Sequence, residues 1–180
     1  MAIREIVCVD DARLRQSAEK VDHFTPELRQ LAQDMLETMR CHRGVGLAGP
    51  QLGVMQRIFV AEIPASRGEG EEPHPQSGVS YVLVNPEIVK TSSQLVEGKE
   101  GCLSMPTWYG CVARPVWVEV QAQDLDGRPF KLNVDDLLAR IIFHEVDHLN
   151  GILFTDHITD PDKLWQVTPE DQPATAPTDK

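Results

Sequence analysis

The sequence has little of the positive charge that nucleic-acid and membrane-surface proteins use. Its 17 Lys and Arg residues stand against 28 Asp and Glu residues, which gives a formal net charge of −11. Nucleic acids and anionic membranes attract Lys and Arg through their phosphates, so an acidic chain is a poor candidate for binding either. We therefore expect no nucleic-acid site and no membrane attachment.

Cysteine is also sparse. The four cysteines lack the CxxC spacing of structural zinc sites and are too few for a disulfide scaffold; they are Cys8, Cys41, Cys102 and Cys111. No apolar run is long enough to span a bilayer, and the first residues contain neither a signal-peptide core nor an Arg- and Ser-rich transit segment. These absences predict reduced thiols in a soluble, cytoplasmic protein of bacterial type.

The helix and strand patterns predict an α+β fold, a small single domain over residues 1–165. Thr25 and Pro26 mark a helix start, with an N-cap followed by proline at the first helical position. Mixed or antiparallel strands are expected to pack around a C-terminal helix that begins near residues 133–136 and ends near Gly151. The strands are expected at 57–63, 81–84 (ending at Asn85-Pro86), 116–121 and 130–134, with a hairpin turn at 126–127.

Two further segments have the composition of irregular chain. Residues 64–78 contain several glycines, prolines and glutamates and predict a polar loop. Residues 166–180 are acidic and rich in proline, and they predict a disordered C-terminal tail.

The C-terminal helix contains a metal-site pattern, HEVDH, at residues 144–148. At about 100° per residue, two histidines four positions apart lie on one apolar face of the helix, and Arg140 and Asp147 are expected on the opposite side. Two buried imidazoles need polar partners, and one shared metal ion supplies a partner for both. Glu145 would then lie beside a water bound to the metal, so the pattern predicts a metal-dependent hydrolase.

A catalytic site of this kind has three protein ligands and one open position, so a third ligand must come from elsewhere in the chain. Cys102 lies in a short segment punctuated by glycine, residues 100–106, and would bring a thiolate to the metal. The residue pattern alone leaves the choice open among Cys102, His157, His42, His74 and Asp156.

A glycine-rich stretch at residues 44–53 contains a formal GxGxxG pattern at Gly44, Gly46 and Gly49. A dinucleotide site has a strand before this pattern and a helix after it. Here a helix precedes and a strand follows, so we reject a dinucleotide site. The stretch is then a structural turn or a loop that approaches a ligand closely, and Gln51 is its one side chain with both donor and acceptor groups.

Three segments occur in an order that resembles the peptide deformylase family: GVGLAGPQ at 44–51, EGCLS at 100–104 and HEVDH at 144–148. The resemblance covers roughly residues 5–160. It implies that the chain hydrolyses the formyl group from the N-formylmethionine of newly made polypeptides. The partners it implies are formylated nascent peptides and the exit region of the ribosome.

The resemblance also implies roles for individual residues. The implied metal ligands are Cys102, His144 and His148. The metal would be ferrous iron in the cell, with nickel, cobalt or zinc accepted in purified protein. Glu145 would be the general base and acid toward metal-bound water, and the Gln51 amide and the Leu103 N–H would stabilise the oxyanion. The implied substrate contacts are Val45, Gly46, Glu100, Gly101, Tyr109, Leu137 and Ile141, and the implied supporting pair beside the metal is Arg114 with Asp147.

The chain departs from the family pattern at three places. Gly49 stands where the family usually has alanine, which we expect to loosen the loop that positions Gln51. Phe143 stands where the family has glutamine, so a hydrogen bond is expected to be lost. The acidic tail cannot form the ribosome-docking helix of some members.

Two other functions are alternatives to deformylation. One is an HExxH metallopeptidase, which Cys102 and the small size of the chain disfavour. The other is a non-catalytic paralogue, which the intact Glu145 and Gln51 disfavour.

Overall fold

An antiparallel five-stranded sheet forms the centre of the fold, which we describe from a computed structural model covering residues 2–65 and 74–168. The strand order is β1-β2-β3-β6-β7. These strands are β1 (Gly46–Ala48), β2 (Ile58–Glu62), β3 (Ser80–Thr91), β6 (Trp117–Gln123) and β7 (Pro129–Asp135). A three-stranded antiparallel sheet of order β4-β5-β8 contains β4 (Leu95–Cys102), β5 (Met105–Pro115) and β8 (Leu164–Gln166). The predicted α+β class is confirmed.

The two long helices, α1 (Pro26–Cys41) and α2 (Asp136–Leu149), pack on opposite faces of the large sheet. Successive side chains of a strand point to opposite faces. On β2, Ile58 and Val60 accordingly pack with the apolar residues of α1, while Phe59 and Ala61 pack with those of α2. This double burial explains the continuous apolar run of β2, and it holds α2 firmly against the sheet.

Both helices begin and end close to the predicted positions. The Thr25 hydroxyl accepts a hydrogen bond from the Leu28 N–H, and Pro26 is the first residue of α1. After α2, Gly151 has a φ of +74°, and its N–H bonds to the carbonyl of His148. The next N–H, of Ile152, bonds to the carbonyl of Asp147, which completes a Schellman motif.

We expect Gly151→Ala to lower the free energy of unfolding by more than about 2 kcal/mol. The added Cβ would lie 2.7 Å from the backbone C of Arg15 and 2.8 Å from its carbonyl oxygen, in addition to the cost of positive φ. Gly78 is the matched control, because its φ is +76° but a Cβ there would be 3.6 Å from its nearest neighbour, Ala65 Cβ. Gly78→Ala should cost about 1 kcal/mol, the backbone cost alone. Urea unfolding measures the loss of stability in both variants. Equal losses would contradict the expected contribution of the steric contact with Arg15.

β3 is longer than predicted, and the expected strand end at residues 85–86 is wrong. The strand continues beyond Asn85-Pro86, with a shift of register against β6 at this point. Asn85 has a φ of +51°, and its side-chain amide bonds to both backbone polar groups of Val21 and to Gln123. Because the pairing is irregular there, proline is accommodated within the strand.

The hairpin of β4 and β5 was not predicted from the sequence. Cys102, expected on a short glycine-punctuated segment, is the last residue of β4. β8 pairs with β5 and includes Gln166, the first residue of the predicted tail; from residue 169 that tail lies outside the described residues, as do residues 66–73 of the predicted loop 64–78. No helix within the described ranges has the length and apolar character needed to cross a membrane.

Candidate active site

A cavity of about 720 Å³ opens between β1, the β4–β5 hairpin and α2. Both the candidate catalytic residues and the expected substrate-binding residues face it. The lining includes Val45, Gly46, Gln51, Glu100, Gly101, Cys102, Leu103, Tyr109, Leu137, Ile141, His144 and Glu145. Three elements that are distant in sequence therefore form one site.

Cys102, His144 and His148 converge beside this cavity. All three are buried, and their potential ligand atoms lie within 4.8 Å of one another. Cys102 Sγ is 3.2 Å from His148 Nε2. A tetrahedral ion with bonds of about 2.0–2.3 Å needs donors at separations of this kind, and one thiolate with two imidazoles suits zinc or iron(II). The donor set fits a divalent metal, and it is the only such group of three within residues 2–65 and 74–168.

The other residues that the sequence left open as a third ligand do not join this group. They are His42, His74, Asp156 and His157. His157 Nε2, for example, lies 2.7 Å from Asp147 Oδ2 instead. The structure therefore brings Cys102, and none of the alternatives, to the two histidines.

The Cys102 thiol lies in an environment that favours the thiolate. Burial alone would raise the pKa of Cys102, but the neighbouring His148 and His144 hold it well below its ordinary value. The Gln51 Nε2 group adds a donor, 3.4 Å from Sγ. A metal binds the thiolate rather than the thiol, so the lowered pKa of Cys102 favours binding of a metal cation.

Glu100 connects His144 to two arginines. Its buried carboxylate accepts hydrogen bonds from Arg114 Nε at 2.9 Å and Nη2 at 3.0 Å, and from Arg140 Nη1 at 3.0 Å. It also lies 3.0 Å from His144 Nδ1, which leaves the other ring nitrogen for the cavity. Burial would raise the pKa of Glu100, but His144 and Arg114 lower it to about 2. A carboxylate behind a candidate ligand histidine fixes the orientation of the ring.

Arg140 lines the cavity, so its expected position on the opposite side of α2 is wrong. Its guanidinium donates to the carbonyls of Val96 at 2.8 Å, Gly98 at 3.3 Å and Val112 at 2.8 Å. A Cβ on Gly98 would lie 2.7 Å from this guanidinium, so glycine makes room for it. Arg140 precedes His144 by four residues, and that helical spacing is the signal that places both side chains on one face.

Asp147 joins α2 to two other elements. Arg114 Nη1, from β5, donates to Asp147 Oδ2 at 2.7 Å. His157, from the 3₁₀ helix Phe154–His157, lies 2.7 Å from the same oxygen. The Arg114–Asp147 pair implied by the resemblance is thus present as a contact, whereas the contact with His157 was not anticipated.

Glu145 is buried against β1, where its carboxyl group lies very close to Gly46. A Cβ on Gly46 would lie 2.2 Å from Glu145 Oε1, so only glycine leaves space for this carboxyl group. Glu145 Oε2 is buried and has no hydrogen-bond partner among the described residues. Burial raises the pKa of Glu145 to about 7, against the opposing effect of the two histidines. A carboxyl group with a pKa near neutrality is able to accept a proton and return it.

Gln51 is held with its NH₂ group toward the candidate ligands. Its Oε1 accepts a hydrogen bond from the Ala48 N–H at 2.8 Å, so Nε2 is directed to Cys102 Sγ and to Ser104 Oγ at 3.3 Å. Ser104, which the sequence did not single out, is therefore part of the arrangement. The Gln51 side chain is positioned before any substrate arrives.

The two departures in the motifs have local structural explanations. A Cβ on Gly49 would lie 2.8 Å from the carbonyl oxygens of Val54 and Gln56. Gly49 therefore allows close packing against these two carbonyl groups, and the expected loosening of the loop stays a prediction. Phe143 is buried in the apolar cluster between α2 and the sheet, where it contributes packing.

This chain is similar to known proteins in both sequence and fold. A sequence model of the family "Polypeptide deformylase" matches residues 3–164. A peptide deformylase from Thermomicrobium roseum is 48% identical over 96% of this chain and 95% of its own, and one from Chloroflexus aurantiacus is 47% identical over 94% and 95%. The crystal structure of peptide deformylase from Ehrlichia chaffeensis has a TM-score of 0.80 and 37% identity, covering 90% of this chain and 91% of that one.

Proposed function

The chain belongs to the peptide deformylase family, and we propose that Cys102, His144 and His148 bind its catalytic metal. The protein is a hydrolase that removes the formyl group from an N-terminal formylmethionine and releases formate. One observation supports the proposed metal site: the side chains of Cys102, His144 and His148 are buried close together, near the buried carboxyl group of Glu145.

A thiolate with two imidazoles accepts several divalent metals. We propose iron(II) as the metal in the cell, with zinc, nickel or cobalt replacing it in purified protein. Such an ion lowers the pKa of coordinated water and polarises a carbonyl oxygen. Because a thiolate is open to oxidation, a protein that uses iron(II) with Cys102 should be handled without oxygen.

Glu145 is the proposed general base and acid. Glu145 follows His144 directly on α2 and lines the same cavity, so its carboxyl group would lie near water held by a metal at the proposed ligands. The raised pKa of Glu145 suits both directions of transfer. The carboxyl group would accept a proton when water attacks the formyl carbon and deliver it to the departing amine of methionine.

Gln51 and Leu103 are the proposed donors to the oxygen of the former formyl group. The Gln51 NH₂ group is already turned into the site by the hydrogen bond from Ala48 to its Oε1. Leu103 follows Cys102 directly in the chain and lines the cavity, and its N–H is the second proposed donor. Donors that are fixed in advance stabilise the developing negative charge without reorganisation, and losing one typically costs about 10²–10³ in rate.

The substrate backbone is proposed to lie along β1, which is the edge strand of its sheet and pairs on its outer side with no other strand of residues 2–65 and 74–168. Val45 and Gly46 would supply the backbone hydrogen bonds, in the manner of an added strand. The methionine side chain would occupy the part of the cavity between β4, β5 and α2. The proposed contacts there are Glu100, Gly101, Tyr109, Leu137 and Ile141.

The proposed partners are nascent polypeptides that begin with formylmethionine, and the proposed location is the bacterial cytoplasm, where such chains emerge. Support comes from the bacterial sources of the similar sequences. Contact with the exit region of the ribosome remains a prediction. A net charge of −11 does not favour binding to the phosphates of ribosomal RNA.

Removal of the metal is expected to abolish formate release, and one equivalent of a divalent ion per chain should restore it. The experiment purifies the protein without oxygen, measures its metal content, and assays formate release from a formyl-Met-Ala-Ser peptide before and after chelation. Cys102→Ala is expected to lose both metal and activity, whereas Cys41→Ala, at an exposed cysteine outside the site, should lose neither. A metal-replete protein that released no formate, or that cleaved the unformylated peptide internally at a matching rate, would contradict the proposed function.

A further inference from the structure

The rim of the cavity has a charge opposite to that of the chain as a whole. Two of the charged residues that line the cavity are exposed, Arg43 and Lys99, and both are basic. The acidic lining residues, Glu100 and Glu145, are buried deeper. Because the chain has a net charge of −11, a basic rim is a local feature and does not follow from the composition.

The charges of Arg43 and Lys99 are available to a ligand. Neither residue takes part in an ion pair within the described ranges. Lys99 Nζ lies 4.0 Å from the centroid of the Tyr109 ring, so a cation–π contact holds the ammonium group at the cavity. Arg140, in contrast, is occupied by Glu100 and three backbone carbonyls.

Arg43 occupies a position where the backbone favours glycine. α1 ends in a Schellman motif, in which the Arg43 N–H bonds to the carbonyl of Arg40 at 3.0 Å and the Gly44 N–H bonds to that of Met39 at 2.9 Å. Arg43 has a φ of +55°, a left-handed conformation that is unfavourable for any residue with a Cβ. An arginine kept in a strained conformation at the rim of an active site indicates that its side chain is used.

We propose that Arg43 and Lys99 make this enzyme prefer formylated chains that have acidic side chains shortly after methionine. The inference rests on the proposed function of the cavity. With the formyl end at the cavity floor and the backbone along β1, the following residues leave across the rim. Arg43 is only three residues before the start of β1, and Lys99, on β4, lines the same cavity. Exposed charges act mainly on capture of the substrate, so the preference should appear in KM more than in kcat.

Three amidated peptides test the preference: formyl-Met-Ala-Glu-Glu, formyl-Met-Ala-Gln-Gln and formyl-Met-Ala-Lys-Lys. At low salt we expect kcat/KM for the Glu peptide to exceed that for the Lys peptide about fivefold, the size expected of two exposed charge pairs. The ratio should fall toward unity at about 1 M salt, because screening then acts over a few ångströms. A ratio near unity at low salt, with the Gln peptide cleaved normally, overturns the inference and leaves the deformylase function intact.

Variants assign the preference to the two residues. Arg43→Gly should lower the Glu-to-Lys ratio about twofold while its melting temperature stays equal or rises, because glycine relieves the left-handed strain. Lys99→Glu should lower the ratio, and the double variant Arg43→Glu, Lys99→Glu should invert it. Lys20→Glu is the matched control for Lys99→Glu, because Lys20 is exposed and lies outside the cavity lining while the substitution changes the net charge by the same amount; its ratio should stay at the wild-type value. An unchanged ratio in the double variant contradicts the inference, and absence of formate from all three peptides contradicts both it and the assigned activity.

Discussion

Glu145→Gln is expected to lower kcat for formate release by about 10²–10⁴, the usual contribution of a general acid–base group, while the bound metal stays at one per chain. Glutamine has nearly the shape of glutamate but cannot take a proton from water. The three proposed metal ligands are unchanged by the substitution, so metal binding should survive. The tight fit of the carboxyl group against Gly46 also limits how far a replacement side chain can move.

Two measurements separate this expectation from a general loss of structure. Metal analysis and the melting temperature should match the wild-type protein, and Glu145→Asp should recover only a small part of the rate because its carboxyl group is set back by one methylene. Glu87→Gln removes an exposed carboxylate on β3, outside the cavity, and should leave kcat unchanged. A Glu145→Gln protein that retained more than about one tenth of the wild-type kcat would show that another group moves the proton.

The features that the sequence predicted well are those set by local chemistry. The histidines of α2 repeat at a spacing that any α-helix places on one face, and Thr25-Pro26 starts α1 through contacts within a single turn. The hairpin between β6 and β7 depends on the turn at Asp126-Gly127, where Gly127 has a φ of +79°. Each of these signals lies within a few residues, so no knowledge of the distant chain is needed.

The features that were missed depend on contacts between distant segments. β4 and β5 do not show clean alternation, because Gly98 and Gly101 occupy places where Arg140 and Tyr109 approach. Glu100 receives its partners from β5, 14 residues away, and from α2, 40 and 44 residues away. A single carboxylate belongs to no sequence pattern from which such distant partners could be predicted. The candidate ligands and the Arg114–Asp147 pair were therefore identifiable through the family motifs, but the contact of Glu100 with His144 was not.

Arg114→Met is the second change for which we expect a large effect, a loss of about 3–5 kcal/mol in the free energy of unfolding. Arg114 is buried, and its guanidinium forms two hydrogen bonds with Glu100 and a third with Asp147. Removing it takes two of the hydrogen bonds from the buried Glu100 carboxylate, which keeps only Arg140 and His144, and it takes the arginine partner from Asp147; losing the partner of a buried charge is costly. The melting temperature should fall by about 10 °C for a chain of this size. Arg128→Met, which removes an exposed arginine 3.4 Å from Asp126, should change it by about 2 °C or less.

The loss of Arg114 should also weaken metal binding, because one of its acidic partners contacts His144 and the other precedes His148 on α2. Glu100 orients His144, and Asp147 directly precedes His148 on α2. We expect the affinity for Zn²⁺, measured by competition with a chelator, to fall about 10–100-fold, the usual effect of removing a group that supports metal ligands. Arg114→Lys keeps the charge but cannot form the two-pronged contact with Glu100, so it should lose less stability than Arg114→Met and still bind Zn²⁺ more weakly than the wild-type protein. If the lysine variant bound Zn²⁺ with wild-type affinity, charge alone would account for the effect, and the geometry of the guanidinium would have no part in holding the site.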